Sequence, residues 1–230
     1  MNARQHVAAF THLTGITTMT HRRFAFTSTI LAAAIATALP LLPANASAQD
    51  AGGPQLAFKS AKVTIDGTSN VHDWMATSST VKVARAKVAD AAKGAAFWDA
   101  VIKPGAIETF EVAIPVTTLT SPRSGLDKNM YKALNAEQHK DITFRLTKLT
   151  AKPTPGAFIA TGILRVAGVE KEVNLDVTLG RAAQALVVKG TTDLLMTDFG
   201  IEPPKALLGT VRSSPKVTIS FETVLTSPMS

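Results

Sequence analysis

Apolar and polar residues alternate along most of the chain, which is typical of β-strands with one dry face and one wet face. The clearest example is 172–179, where glutamate, asparagine, aspartate and threonine alternate with valine and leucine. The same parity recurs in three other segments: 109–116, 142–147 and 217–222. Four further segments are predicted as strands from their composition: 56–65, 80–89, 157–166 and 185–196. The pattern therefore predicts about eight strands, and they are antiparallel because no strand-helix-strand rhythm is present.

The apolar period changes to that of a helix in the segment 126–137. Apolar residues recur there every four positions, at 126, 130 and 134, which predicts a short amphipathic helix. Ser124 and Asp127 form a Ser-x-x-Asp pattern, which predicts a capped start for this helix. A second short helix is predicted over 91–102.

Eight antiparallel strands with one apolar face could form a sandwich or a closed barrel, and periodicity does not distinguish the two. The helices favour the barrel, because its open end needs an apolar cover. Phe97, Trp98 and Val101 would supply one apolar side of the second helix. We therefore predict an all-β fold, an eight-stranded antiparallel barrel with one or two short helices covering an end. An ordinary packing role remains an alternative for the helix at 126–137.

The first 48 residues have the form of a secretory signal peptide. Two arginines, at 22 and 23, precede the apolar stretch 24–42, and an Ala-Ser-Ala cleavage site ends at Ala48. A membrane anchor is the alternative, but two prolines interrupt the apolar run. We therefore expect a signal peptide over 1–48, one barrel domain over 49–230, and a periplasmic or secreted location after cleavage near Ala48.

Composition excludes several classes of protein. Three of the 24 basic residues and no acidic residue lie in 1–48, so 21 basic and 17 acidic residues remain, a net charge of +4. The basic residues are scattered and not interleaved with aromatics, so no nucleic-acid partner is expected. The chain has no cysteine, which excludes disulfides, a lipoprotein anchor and a thiol nucleophile.

Catalysis is not expected from the polar residues. Ser69, His72 and Asp73 lie too close together on an extended segment to align as nucleophile, base and orienting group. No phosphate-binding glycine loop and no paired carboxylates stand out. A hydrolase acting on a lipid-like substrate remains an alternative.

Five segments resemble YceI-like proteins: DGTSNVHDW at 66–74, DKNMYKAL at 127–134, the stretch 139–144, GILRVAGV at 162–169, and MTDFGI at 196–201 with Pro203 and Pro204. The resemblance covers about 56–225 of the chain and keeps the family's order of motifs. It implies a lipocalin-like barrel, exported or periplasmic, whose long apolar cavity holds a polyisoprenoid or other lipid-like chain. The alternative is a filled barrel that acts as a structural or protein-interaction module, because eight strands enclose little more than their own side chains.

Inward parity and the resemblance together predict the residues that contact the ligand. The predicted ligand-binding side chains are Trp74, Phe110, Val112, Met130, Leu134, Phe144, Leu146, Leu175, Val177, Phe199 and Phe221. His72, Asp73 and His139 are predicted to contact a head group. The alternatives are ordinary turn or capping roles, and a metal site formed by the histidines with Asp73 or Asp127. No metal and no cofactor is expected, apart from a bound isoprenoid or similar lipid. Transient membrane contact and pairing into a homodimer are left open.

Overall fold

The computed structural model describes residues 56–89 and 96–227. The predicted signal peptide, its cleavage site and the start of the predicted helix at 91–102 lie outside the described residues. Twelve strands and α-helices are described in chain order: β1 Ala57–Ser69, β2 Trp74–Ser78, β3 Lys82–Val88, α1 Phe97–Val101, β4 Ile107–Pro115, α2 Ser124–Ala133, β5 Asp141–Ala151, β6 Ala157–Val166, β7 Val169–Ala182, β8 Ala185–Leu195, β9 Lys205–Ala206 and β10 Val211–Thr226.

Nine strands form one antiparallel sheet in the order β2-β1-β10-β8-β7-β6-β5-β4-β3, and the short β9 pairs with β10. The first and last strands of this order, β2 and β3, are consecutive in the chain and are separated only by 79–81. The sheet must therefore curl until its two edges meet at this connection. The predicted all-β antiparallel barrel is confirmed.

The strand count differs from the predicted eight by two short strands, β2 and β9. Strand β2 has five residues and β9 has two, and neither is long enough for an alternating pattern to identify. The eight predicted strands all form, with ends that shift by a few residues.

Tight turns bring the neighbouring strands together. Between β6 and β7, Ala167 and Gly168 have φ angles of 48° and 84° and separate the paired residues Val166 and Val169. Two consecutive residues with positive φ form the type I′ hairpin turn, whose twist matches that of the flanking strands. Such short connections keep successive strands antiparallel and adjacent.

The two helices form near the predicted positions, and one detail of the prediction is wrong. Helix α2 starts with Ser124 as its first helical residue; its N-cap is Arg123, which makes no side-chain cap. Asp127 Oδ1 instead accepts a hydrogen bond from Ser121 N at 2.8 Å, which holds the preceding turn rather than the helix end. In α1 the predicted apolar side is confirmed, because Phe97, Trp98 and Val101 are buried. No helix in the described residues is long and apolar enough to span a membrane.

Buried side chains form two clusters at opposite ends of the barrel. The first surrounds α2 and includes Met130, Phe199 and Val217, near the start of β10. The second surrounds α1 and includes Trp98 and Leu225, near the end of β10. These two regions are called the α2 end and the α1 end. The space between them contains the candidate site.

Candidate ligand cavity

The interior of the barrel is a cavity of about 300 Å³, lined by side chains from both ends and from all the long strands. Its volume lies at the lower limit of typical small-molecule sites. Along β10 its lining runs from Ser213 to Leu225, which is about 40 Å of extended chain. The cavity is therefore long and narrow.

The lining is almost entirely apolar. Among the described residues that line the cavity, Thr192, Ser213 and Thr223 carry hydroxyl groups, Trp74 carries an N–H, and no charged side chain is present. Two of the hydroxyls donate hydrogen bonds to backbone carbonyls: Thr192 to Asn174 O at 3.3 Å and Thr223 to Val188 O at 3.5 Å. Such a lumen suits a ligand that has few polar atoms, because an unpaired buried polar group costs about 1–3 kcal/mol.

The eleven residues predicted to bind ligand all lie in this lining. Eight of them lie on strands and face inward: Trp74 on β2, Phe110 and Val112 on β4, Phe144 and Leu146 on β5, Leu175 and Val177 on β7, and Phe221 on β10. Met130 and Leu134, from α2 and its C-cap, cover the α2 end together with Phe199. Their contact with a ligand stays a prediction.

Sequence reasoning missed the contributions of three strands. Strands β1, β6 and β8 supply further lining residues: Val63, Ile65, Ala160, Leu164, Val188 and Leu194. In β6 the segment AFIATGILRV is apolar on both parities, so alternation alone does not show which side chains point inward. Its pairing with the clearly alternating β7, in which Ala160 lies opposite Leu175, would have identified them.

Three inward-facing glycines seat aromatic rings against the barrel wall. In each case a Cβ on the glycine would lie within 2.5 Å of a ring atom on the neighbouring strand. The pairs are Gly67 with Trp74, Gly162 with Phe144, and Gly190 with Phe221. A strand glycine commonly marks such a close approach. The rings thus lie over the glycines and leave the centre of the lumen open.

Helix α2 is held over its end of the barrel by a tyrosine. The Tyr131 hydroxyl donates to Leu119 O at 2.6 Å and also lies 3.1 Å from Thr117 O. Burial, followed by the nearby Asp127 carboxylate, raises the pKa of Tyr131 above 10.0. The phenol therefore remains a hydrogen-bond donor at neutral pH, and it fixes the helix to the segment that follows β4.

At the α1 end, Trp98 has the corresponding role. It is 2 % exposed, and its Nε1–H donates to Gln184 O at 2.9 Å, in the turn between β7 and β8. The ring of Phe97 meets it edge to face, with centroids 5.0 Å apart and an interplanar angle of 84°. This geometry is favourable for an aromatic pair and ties α1 to the barrel.

The residues predicted to contact a head group lie outside the cavity lining. His72 and Asp73 are exposed, in the turn between β1 and β2. Arg123 Nη1 lies 2.9 Å from His72 Nε2, and an arginine can only donate, so Nε2 accepts. The proton of the neutral ring is then on Nδ1, which lies 3.0 Å from Asp73 O. His72 thus connects this turn to the start of α2.

His139 packs on the turn between β6 and β7. A Cβ on Gly168 would lie 2.5 Å from His139 Cε1, so the imidazole lies directly on this glycine. Together with its φ of 84°, this contact explains why residue 168 is a glycine. The head-group roles of the two histidines and Asp73 stay predictions. The described residues contain no group of three or more histidine, aspartate or glutamate side chains placed to hold a metal ion.

Comparisons with known proteins agree with this geometry. The sequence model of the YceI-like domain matches residues 4–225. No curated protein matches the sequence. Among solved structures, BcnA of Burkholderia cenocepacia is similar with a TM-score of 0.55 and 14% identity, covering 71% of this chain and 95% of BcnA. A polyisoprenoid binding domain from Saccharophagus degradans, implicated in plant cell wall breakdown, gives a TM-score of 0.58 and 10% identity, covering 76% of this chain and 100% of that domain. At these identities the structural likeness indicates a common fold.

Proposed function

Because this chain belongs to the YceI-like domain family, we propose that it is a binding protein that holds an apolar, isoprenoid-like chain in the lumen of its barrel, for storage or transport. The observation that carries the proposal is the cavity of about 300 Å³, whose lining has no charged side chain among the described residues. A filled barrel that serves only as a structural module would not leave this space. The name of the domain from Saccharophagus degradans is consistent with such a ligand.

Burial alone supplies enough free energy for binding. Removal of apolar surface from water contributes about 25 cal/mol per Å², so a chain of several isoprene units gains on the order of 10 kcal/mol before the costs of ordering. No ion pair or metal is needed. A binding role rather than catalysis fits this lumen, because a reaction would need polar groups beside the substrate.

We also propose that the protein acts outside the cytoplasm. The arginine pair, the apolar stretch 24–42 and the Ala-Ser-Ala site ending at Ala48 support cleavage and export. N-terminal sequencing of protein recovered from the periplasm or the medium would test this proposal, because an intact N-terminus would contradict cleavage.

The test of ligand binding is to block the lumen. Val177 lines the cavity and is 6% exposed, whereas the next residue of β7, Thr178, points outward and is exposed. Val177→Trp places an indole in the lumen, and Thr178→Trp adds the same group outside. The probe is phytanol, a saturated C20 isoprenoid alcohol, whose slim and almost entirely apolar chain suits a narrow apolar lumen. Binding is followed by native mass spectrometry, and folding by urea denaturation.

We expect wild type and Thr178→Trp to bind one phytanol with similar affinity. The affinity of folded Val177→Trp should be at least tenfold lower. Leu175→Trp is a second blocking variant in case Val177→Trp does not fold. Undiminished binding by a folded blocking variant would place the ligand elsewhere. If wild type binds neither phytanol nor any lipid that copurifies with it, the filled-barrel interaction module becomes the better account.

A further inference from the structure

One side chain that lines the cavity carries a polar atom with no hydrogen-bond partner among the described residues. Trp74 lines the cavity, and its Nε1–H is buried without a hydrogen-bond acceptor among the described residues. A buried donor left unpaired costs about 1–3 kcal/mol, and nearly all such groups in folded proteins are paired. The atom therefore calls for a hydrogen-bond acceptor that the described residues do not supply.

The position of the indole is fixed by its neighbours. Trp74 lies opposite Gly67 in the pairing of β1 with β2. A Cβ on Gly67 would lie 2.1 Å from Trp74 Cζ2 and 2.3 Å from Cε2, which is bonded to Nε1. The ring thus lies directly against the backbone of β1, and residue 67 must remain small. The donor itself is covered by its neighbours, so these side chains must move slightly before a ligand oxygen can reach it.

The second tryptophan of the chain has an indole N–H that is hydrogen-bonded. Trp98 is buried, and its Nε1–H donates to Gln184 O at 2.9 Å. The unpaired donor is thus particular to Trp74, which packs with the cluster at the α2 end. Ser213, a further polar residue of the lining, is on β10 near the same end and pairs with Ser69 of β1.

We propose that Trp74 Nε1–H is the anchor for the polar end of the ligand, and that this end carries a hydrogen-bond-accepting oxygen. The inference rests on the proposed function and deepens it. An indole N–H can only donate, so the ligand must accept, as an alcohol, ether or carbonyl oxygen does. The ligand then lies with its oxygen at the α2 end and its hydrocarbon chain directed toward α1. An entirely hydrocarbon ligand would leave the donor unpaired.

The test compares two ligands that differ by one oxygen. Phytanol and phytane have the same saturated C20 chain, and only phytanol has an acceptor. The affinities of both are measured for wild type, for Trp74→Phe and for Phe144→Leu. Trp74→Phe keeps an aromatic ring without a donor, whereas Phe144→Leu removes lining area without changing any polar group. We expect wild type to prefer phytanol, and Trp74→Phe to reduce that preference about five- to tenfold. Phe144→Leu should lower the affinities for phytanol and phytane by the same factor.

A second readout observes the donor directly. The chain has two tryptophans, so a ¹H–¹⁵N spectrum contains two indole resonances, and Trp74→Phe identifies the one from Trp74. Phytanol should shift this proton downfield, phytane should not, and the Trp98 resonance should stay in place as an indicator of folding. An unchanged preference in folded Trp74→Phe, or no downfield shift with bound phytanol, would overturn the anchor while leaving the lumen as the binding site. Failure of wild type to bind either ligand would overturn the proposed function and this inference with it.

Discussion

The glycine at position 190 provides a sharp test of how the lumen is kept open. Gly190 on β8 lies beneath the ring of Phe221 on β10, and a Cβ there would be 2.3 Å from Phe221 Cζ and 2.7 Å from Cε1. Ordinary contact begins at 3.4 Å, so the ring must retreat by about 1.1 Å, the difference between 3.4 Å and 2.3 Å. The backbone of β8 blocks one direction, and the lumen is open in the other. Gly190→Ala should therefore push the phenyl ring into the lumen.

The expected cost is that of overpacking, about 1–3 kcal/mol in the free energy of unfolding. Values near the lower limit are expected because the open lumen lets the ring move, although Asp176 O at 3.0 Å from the new Cβ must also yield slightly. Urea denaturation measures this loss as a lower midpoint at an unchanged slope. Phytanol affinity should fall at the same time, because the displaced ring occupies ligand volume.

Gly180→Ala is the matched control. Gly180 lies on β7, and a Cβ there would meet nothing within 4 Å. This change therefore isolates the backbone effect of replacing glycine, which alters the free energy of unfolding by up to about 1 kcal/mol. The double variant Gly190→Ala/Phe221→Leu removes the ring atoms that clash and should recover stability relative to Gly190→Ala. The reasoning is refuted if Gly190→Ala matches Gly180→Ala in stability and wild type in phytanol affinity.

Two further predictions concern the ends of the barrel. Tyr131→Phe should cost about 0.5–1.5 kcal/mol at pH 7, because the hydrogen bond to Leu119 O is lost. The pKa of Tyr131 is raised in the folded protein, so the stability that its phenol contributes is complete below pH 10 and is lost as the pH rises through the folded pKa. The urea midpoints of wild type and Tyr131→Phe should therefore lie closer together at pH 11 than at pH 7. An equal difference at both pH values would contradict this prediction. Trp98→Phe should lower the free energy of unfolding by about 1–3 kcal/mol, because packing and the hydrogen bond to Gln184 O are lost. In calorimetry, Tm should fall by about 2–4 °C for each kcal/mol. An unchanged Tm would show that α1 does not stabilise the barrel.

The fold could be predicted because its long strands carry their own signal. In β7, one face is dry and the other wet over many residues, and a shift by one residue would expose the whole apolar set. Strand β2 could not be predicted in this way, because its five residues are too few for an alternating pattern to identify. The start of α2 also differs from the prediction. A Ser-x-x-Asp pattern does not show which other donors lie near the carboxylate, and Asp127 Oδ1 accepts a hydrogen bond from Ser121 N instead.

The lining of the cavity was predictable for the same reason, since parity determines which side chains face inward. What parity cannot reveal is the contact between strands that are far apart in the chain. The seating of Phe221 on Gly190 depends on the register of β10 against β8, in which the two residues lie opposite each other. The unpaired donor of Trp74 is equally invisible, because it depends on which acceptors the folded chain places nearby.

These features together explain how a barrel of this size keeps a lumen. Closed β-barrels with few strands are usually filled by their own side chains, and filling would be the more stable solution for a protein without a ligand. Here large buried side chains are concentrated at the two ends, around Trp98 and around Met130. In the middle, glycines let the rings of residues such as Phe144 and Phe221 lie against the wall. The ends therefore supply the core that stabilises the fold, and the middle leaves apolar surface uncovered, which an apolar ligand of the proposed kind would cover.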